Sequence, residues 1–594
     1  MASSQGLRRR LLPFSESTTP LQALTYLLGI SLFSISFLVF LNSSVSFAIT
    51  DLIGIKDGVG DIVGTLGFAD EVVALVACPV WGLVSDRSGV RYVAVTGYTI
   101  IGVALILLVQ ARNVYPQLLL ARIFFAVGAT AAATMVTAIL PSLTDEHDAP
   151  ARGMRKPASP HGRPSVTLSV DSEATITPER FRNSSSPIPP DGDEAATASD
   201  SAGKPSVLAG YVGLFTGCGA LVALSLFLPL PARFGRIEGV TLADAVKYSY
   251  YVVGLVSFLV AIFVSFGLRG LKGEEGKGWR MLLTWKGSTP DDASESALAP
   301  KTTVLPYWHL LRTSIRLGFT DSEIALGYLG GFVARASTVA ISLFLPLFVN
   351  TFFFRNGFCQ GSPHDPSPEL KKECRQAYVL ASILTGVAQL VGLLCAPLFG
   401  YLSSRRHNNS INYPIVASTV LGIVGYLAFP RLRSPEFRDV DGRGGGPAVF
   451  FLAALMGASQ IGAIVCSLGS LGRGVLKVEH AHPISSRGET APLLYPHDDD
   501  DIEETDSTSI EDDEDVTPSR VRLKGSVAGV YSWCGGAAIL LLTKLGGYLF
   551  DAWSTGAPFY IMAGFNAVLL VASLAIDLGR GAAAARRRKR EGGV

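Results

Sequence analysis

The chain has 594 residues, of which 48% are hydrophobic and only 17% charged, with a formal net charge of +1. A soluble chain of this length would carry more charge, so the composition excludes an ordinary globular protein and indicates a multi-span membrane protein with polar inserts. The near-neutral total hides segregation, with basic clusters at Arg8–Arg10 and Arg586–Arg590 and an acidic block at Asp498–Asp515, and it predicts no nucleic-acid partner.

A hydropathy window of about 19 residues finds twelve apolar runs. The first six cover Leu21–Leu41, Ile62–Val84, Tyr92–Val109, Pro116–Leu140, Val207–Leu228 and Tyr248–Leu268. The second six cover Ala325–Val349, Tyr378–Leu402, Tyr413–Phe429, Ala448–Leu468, Ser526–Phe550 and Pro558–Ile576. Arg8, Arg9 and Arg10 precede a polar stretch and then a span too long for a signal peptide, so the first span is expected to stay in the membrane. The expected fold is an all-α membrane protein of two related six-helix bundles.

The expected organisation is a tail at 1–20, four spans in 21–141, an insert at 142–206, two spans in 207–268 and a central loop at 269–322. Four more spans follow in 323–470, then an acidic insert at 471–524, two spans in 525–578 and a basic tail at 579–594. Lys and Arg collect on one side, so the positive-inside rule places both termini, the inserts and the central loop in the cytosol. Both inserts are rich in Ser, Thr, Pro and charge, too polar to bury a core, and are expected to be disordered.

The second and third runs are joined by Gly82-Leu-Val-Ser-Asp86-Arg87-Ser-Gly89-Val-Arg91. Glycines permit the reversal, while the charges mark a membrane-surface turn. The pattern resembles the signature between helices 2 and 3 of major facilitator superfamily (MFS) transporters. The branch it is most similar to is that of fungal-type drug and metabolite transporters. The resemblance implies two bundles rocking about a central site, with Gly82, Asp86, Arg87, Gly89 and Arg91 forming a cytosolic gate. Asp86 is expected to meet the positive amino end of the eleventh helix near Lys524 and Gly525. The antiporter motif of the fifth helix is incomplete, because Gly217-Cys-Gly219 lacks its proline.

Internal similarity supports two related halves. Pro79-Val-Trp-Gly82 followed by Ser85-Asp86-Arg87 matches Pro397-Leu-Phe-Gly400 followed by Ser403-Ser404-Arg405, with Ser404 in place of the acid. Leu208-Ala-Gly-Tyr-Val of the fifth span is similar to Val527-Ala-Gly-Val-Tyr of the eleventh.

Charges inside a bilayer are costly, about 2.5 to 3.5 kcal/mol each, and each needs a partner or a function. At about 1.5 Å per residue, Asp70 and Glu71 lie roughly 16 to 18 Å from Gly82, a depth similar to that of Arg122. An ion pair between Arg122 and one acid leaves the other as a candidate proton carrier, and Arg122-Ile-Phe-Phe-Ala-Val-Gly128 resembles the MFS fourth-helix motif associated with proton coupling. The alternatives are a purely structural ion pair, or a helix that begins later and leaves both acids near the outer surface. Glu71 continues the face of Gly60, Gly64 and Gly67 and should point to a packed helix or cavity. Arg335 is the strong charge of the seventh span and is the candidate contact for an anionic substrate, with a salt bridge to another helix as the alternative. Gln389, Gln460, Tyr531 and Trp533 are further cavity candidates.

Cys359 and Cys374 share a polar loop on the non-cytosolic side and are a candidate disulfide. Glu489-Thr-Ala-Pro-Leu493-Leu494 resembles an acidic dileucine sorting signal read by adaptors, which favours the vacuolar membrane, with the plasma membrane as the alternative. No phosphate-binding loop, metal-ligand spacing or nucleophile elbow occurs, so no enzyme activity, metal or cofactor is expected. The function these features predict is secondary transport of a small organic molecule by a proton-coupled monomer. An uncoupled facilitator and a non-transporting membrane sensor or scaffold are the alternatives.

Overall fold

A computed structural model describes residues 13–15, 17–55, 59–145, 192–274, 277–278, 306–356, 375–405, 411–438, 444–477 and 520–591. The described residues form helices and no strand. Twelve helices are long and apolar enough to cross a membrane. In chain order they are α1 Pro20–Ile53, α2 Ile62–Ser88, α3 Val90–Leu108, α4 Val114–Thr144, α5 Gly203–Phe234 and α6 Leu242–Gly267. The second half contains α7 Ser322–Phe353, α8 Val379–Ser404, α9 Tyr413–Arg431, α10 Ala448–Leu476, α11 Lys524–Ala552 and α12 Ala557–Ala583.

Local chemistry sets several helix ends. Thr19 and Gln22 form a reciprocal capping box at the start of α1, while Thr241 caps α6 and Asp321 caps α7. Gly89 separates α2 from α3 with φ +96°, in the left-handed region that favours glycine. A Cβ there would also come within 2.5 Å of Glu274 Oε2.

Several helices extend past the expected bounds. Ser142–Thr144 and Leu471–Leu476, taken as insert, complete α4 and α10. Arg520–Leu523 forms a short helical turn before α11. The central loop contains a surface helix, Tyr307–Thr320, that the hydropathy window passed over. Such a window reports apolar content, so it misses helical turns that pack while carrying charge. The remaining parts of both inserts, Cys359, Cys374, Glu489, Leu493 and Leu494 lie outside the described residues.

The halves meet through α2 on α11 and α5 on α8, reinforced by α4 on α11 and α5 on α10. Glycine makes these crossings possible. A Cβ on Gly82 would lie 2.9 Å from Gly529 Cα, and one on Gly400 would lie 2.8 Å from Gly210 Cα. The two contacts pair residues that the internal similarity relates: Gly82 with Gly400, and Gly529 with Gly210. The correspondence runs further, since Leu75 of α2 faces Gly536 of α11 while Leu393 of α8 faces Gly217 of α5. The same small-residue crossing therefore occurs twice, related by a pseudo-twofold. On α2, exposed Phe68, Val72, Val76 and Val80 recur every four residues and form a lipid-suited stripe. Glu71, Leu75, Cys78 and Gly82 occupy a different face, turned toward α11.

Candidate functional site: a polar centre above a closed gate

The polar centre is built where spacing along α2 sends two adjacent acids in different directions, about 100° apart. Asp70 turns to α4, where Arg122 Nε donates to its Oδ1 and Oδ2 at 3.1 and 2.8 Å and Nη2 donates to Oδ2 at 2.5 Å. Arg122 is buried, and its Nη2 also donates to Asn42 Oδ1 of α1. The guanidinium thus ties α1, α2 and α4 together. Its Nη1 is buried with no hydrogen-bond partner among the described residues.

Glu71 turns to the boundary between the halves. Leu75, one turn along from it, packs on Gly536 of α11, and on the adjacent Gly535 the stem of Arg335 of α7 packs where a Cβ would come within 2.7 Å. Tyr531, also on α11, packs its ring on Gly331 of α7 and sets its hydroxyl 3.1 Å from that of Ser467. Gln460 of α10 is buried and donates to Thr338 of α7 at 2.9 Å. Gln389 and Trp533 are exposed, and among the described residues neither hydrogen-bonds to this group. Gln389 occupies on α8 the place that Glu71 has on α2, four residues before Leu393 as Glu71 is before Leu75. Above Glu71, a Cβ added to Gly64 or Gly67 would meet nothing within 4 Å, so this part of α2 borders open space.

At the other end of α2 the halves are locked. Asp86 is buried and accepts from the backbone N–H groups of Gly525 and Ser526, each at 2.7 Å, and from the Ser526 hydroxyl. These N–H groups open α11 and have no carbonyl one turn earlier to bond. A carboxylate there satisfies them and meets the positive end of the helix dipole. Arg87 lies over the ring of Tyr307, with its guanidinium carbon 3.4 Å from the centroid. Arg91 lies over Tyr92 at 4.7 Å.

Sequence inspection missed the second part of this lock. Glu274, beyond α6, accepts from Val90 N–H at 2.7 Å and pairs with Lys524 at 2.5 Å and Lys277 at 3.3 Å. Burial opposes ionisation of Glu274, but Lys524, Lys277 and the Val90 N–H outweigh it and hold the carboxyl below its ordinary range. Lys524 is buried and also donates to Ser142 of α4 at 2.6 Å. A separate network braces the second half. Asp321 pairs with Arg520 at 2.8 Å and Lys477 at 3.1 Å, while Glu323 pairs with Arg580 at 2.8 Å and Arg473 at 3.2 Å. Burial opposes ionisation of Asp321 too, yet Arg520, Lys477 and the Glu323 N–H keep its carboxyl below the ordinary range. These residues lie in polar segments whose partners are remote in sequence, so no local pattern marks them.

A family profile described as Major Facilitator Superfamily matches residues 32–153, which include α2, α3 and the Asp86 turn. No curated protein matches the chain. Among solved structures, the chain is similar to FucP, an MFS transporter in the outward conformation, with 12% identity, a TM-score of 0.50, and coverage of 93% of this chain and 97% of that one. It also aligns with the proton:xylose symporter XylE, at 12% identity, TM-score 0.49, and coverage of 93% and 94%. The human organic anion transporter TETRAN aligns at 12% identity, TM-score 0.45, and coverage of 94% and 100%. The fold is that of the MFS transporters. Together with the profile match over residues 32–153 and the twelve helices long and apolar enough to cross a membrane, it supports a multi-pass membrane protein with this fold.

Proposed function

We propose that this protein is a proton-coupled secondary transporter of a small anionic organic molecule of drug or metabolite type, working by alternating access. The observation that carries this reading is the approach of the Glu71-bearing face of α2 and of Arg335 to the adjacent glycines Gly536 and Gly535 of α11, beside open space and above the closed contact at Asp86. A carboxylate and a guanidinium contributed by different halves exchange partners when the halves move. Arg335 suits a carboxylate or phosphate on the substrate through its planar fork. Substrate binding to Arg335 offsets the positive charge near Glu71 and favours its protonation, which links the two loads. Asp70, held by Arg122, keeps the first bundle rigid while Glu71 titrates.

In this reading the end bearing Gly82, Asp86, Arg87, Gly89 and Arg91 is cytosolic, and the centre opens to the opposite side. The protein works as a monomer and is sorted to the vacuolar membrane through Glu489, Leu493 and Leu494. The test is flux in proteoliposomes, using a panel of organic anions and a proton gradient that can be collapsed with an ionophore. Wild-type protein is expected to accumulate a substrate only with the gradient. Glu71→Gln should retain downhill exchange but lose accumulation, and Arg335→Gln should lose anion binding. Accumulation that survives in Glu71→Gln overturns the coupling role.

A further inference from the structure

The surface helix Tyr307–Thr320 presents a face that the transport reading does not use. Leu310 and Ser314 are buried beneath it, whereas Trp308 is 72% exposed and Phe319 is 88% exposed. Trp308, Arg312, Ile315, Arg316 and Phe319 recur at i, i+4, i+7, i+8 and i+11 and so form one continuous exposed strip. The strip alternates large apolar groups with arginines and contains no acid. Among the described residues, neither arginine has an acidic partner.

The position of the helix identifies what this strip faces. The helix ends at Thr320, and Asp321 immediately caps α7, so the helix lies at the level where α7 enters the bilayer. It is clamped there on its other side. The Tyr328 hydroxyl of α7 donates to Ser314 O at 3.1 Å, and Gly318 admits the Tyr328 ring where a Cβ would come within 2.7 Å. The first turn is braced by Arg87, which covers the Tyr307 ring. A helix at this depth, with Trp and Phe among cations, matches the acyl–headgroup boundary of a leaflet rich in anionic lipid.

We propose that the strip Trp308, Arg312, Ile315, Arg316 and Phe319 is a binding surface for anionic phospholipid headgroups, and that lipid bound there braces the gate through Tyr307 and Arg87. The proposal rests on reading the gate end as cytosolic, where anionic lipid is concentrated. The aromatic groups enter the headgroup boundary and the arginines pair with the headgroup charge. Because Tyr307 holds Arg87 on the α2–α3 turn, an anchored helix favours the closed gate.

The test uses the full chain in nanodiscs and needs no transported substrate, so it is independent of the flux experiment. The fluorescence difference between wild type and Trp308→Phe isolates the Trp308 signal. Brominated phosphatidylserine is expected to quench that signal more than brominated phosphatidylcholine at equal mole fraction. Arg312→Gln and Arg316→Gln should each reduce the preference about fivefold, the effect of about 1 kcal/mol per basic side chain. Equal quenching by both lipids would show generic membrane contact and overturn the proposal. Quenching by neither would show that protein covers the strip and would overturn it as well.

Discussion

The two crossings between the halves have the same backbone and different locks. At α2–α11 and at α5–α8, paired glycines bring the helices into main-chain contact, and a leucine two turns further packs on another glycine. Only the first crossing carries a carboxylate on the facing helix. The reason lies in where the partner helix begins. The helical segment of α11 starts at Lys524, so Gly525 and Ser526 present unbonded N–H groups to Asp86. The helix containing α5 begins at Gly192, well before Ser206, the counterpart of Gly525, so the amides there already bond within the helix. Ser404 replaces Asp86 because an acid would have no donors to meet. The second crossing is held instead by hydroxyls, with Ser403 bonded to Ser206 at 3.3 Å and Arg473 bonded to the same Ser206. The first crossing is closed by buried carboxylates, the second by hydroxyls and the guanidinium of Arg473.

This contrast can be broken most sharply at Glu274. Glu274→Ala leaves Lys524 buried without its carboxylate, a loss of about 3–5 kcal/mol in the closed state. Hydrogen exchange should then accelerate more than a hundredfold at residues 79–88 and 525–532, while residues 203–213 keep their protection. Equal acceleration at both crossings would mean that the locks are not independent.

Steric change comes next and should treat the crossings alike. Gly82→Val and Gly400→Val each place a side chain against backbone less than 3 Å from the new Cβ. Overpacking of this kind costs about 1–3 kcal/mol. Exchange should rise by a similar factor at the crossing that carries each substitution.

Asp86→Asn removes the charge but keeps one acceptor, and a lost helix cap of this type costs about 0.5–2 kcal/mol. Opening of the first crossing should increase up to about thirtyfold, measured by thiol labelling of a cysteine introduced at Val527. The reverse change, Ser404→Asp, should not tighten the second crossing, because it buries a carboxylate without free N–H donors. Tighter closure in Ser404→Asp would refute the explanation given for the missing acid.

The smallest effect is one of pH. Glu274 has a folded-state value below the ordinary one, so its stabilisation is present above about pH 4.3, the usual glutamate value. It is lost as pH falls through the lower folded-state value. The part of the exchange at the first crossing that depends on Glu274 should therefore rise only under acid conditions. In Glu274→Gln this acid-dependent rise should disappear.

Much of the architecture was legible in the chain. Span number, the bundle repeat and the turn at Gly89 follow from local chemistry: long apolar runs, recurring small residues and glycines where the backbone needs them. The helical period was also enough to send Asp70 and Glu71 to different neighbours. Depth along the helices placed Arg122 level with the acids, although the choice of Asp70 over Glu71 was open. What hydropathy obscured was any ordered segment with mixed character. The helix Tyr307–Thr320 and the turn Arg520–Leu523 were absorbed into polar regions.

The amino-acid order by itself determined twelve helices long and apolar enough to cross a membrane, in two related halves, because burying apolar runs and pairing their backbone groups is a local requirement. Only the tertiary structure decided which partners the charges take. Glu274 with Lys524 and Asp86 with the first amides of α11 join residues up to 440 positions apart across the bundle boundary. Such pairs depend on how helices are rotated and stacked, and no short stretch of chain encodes that.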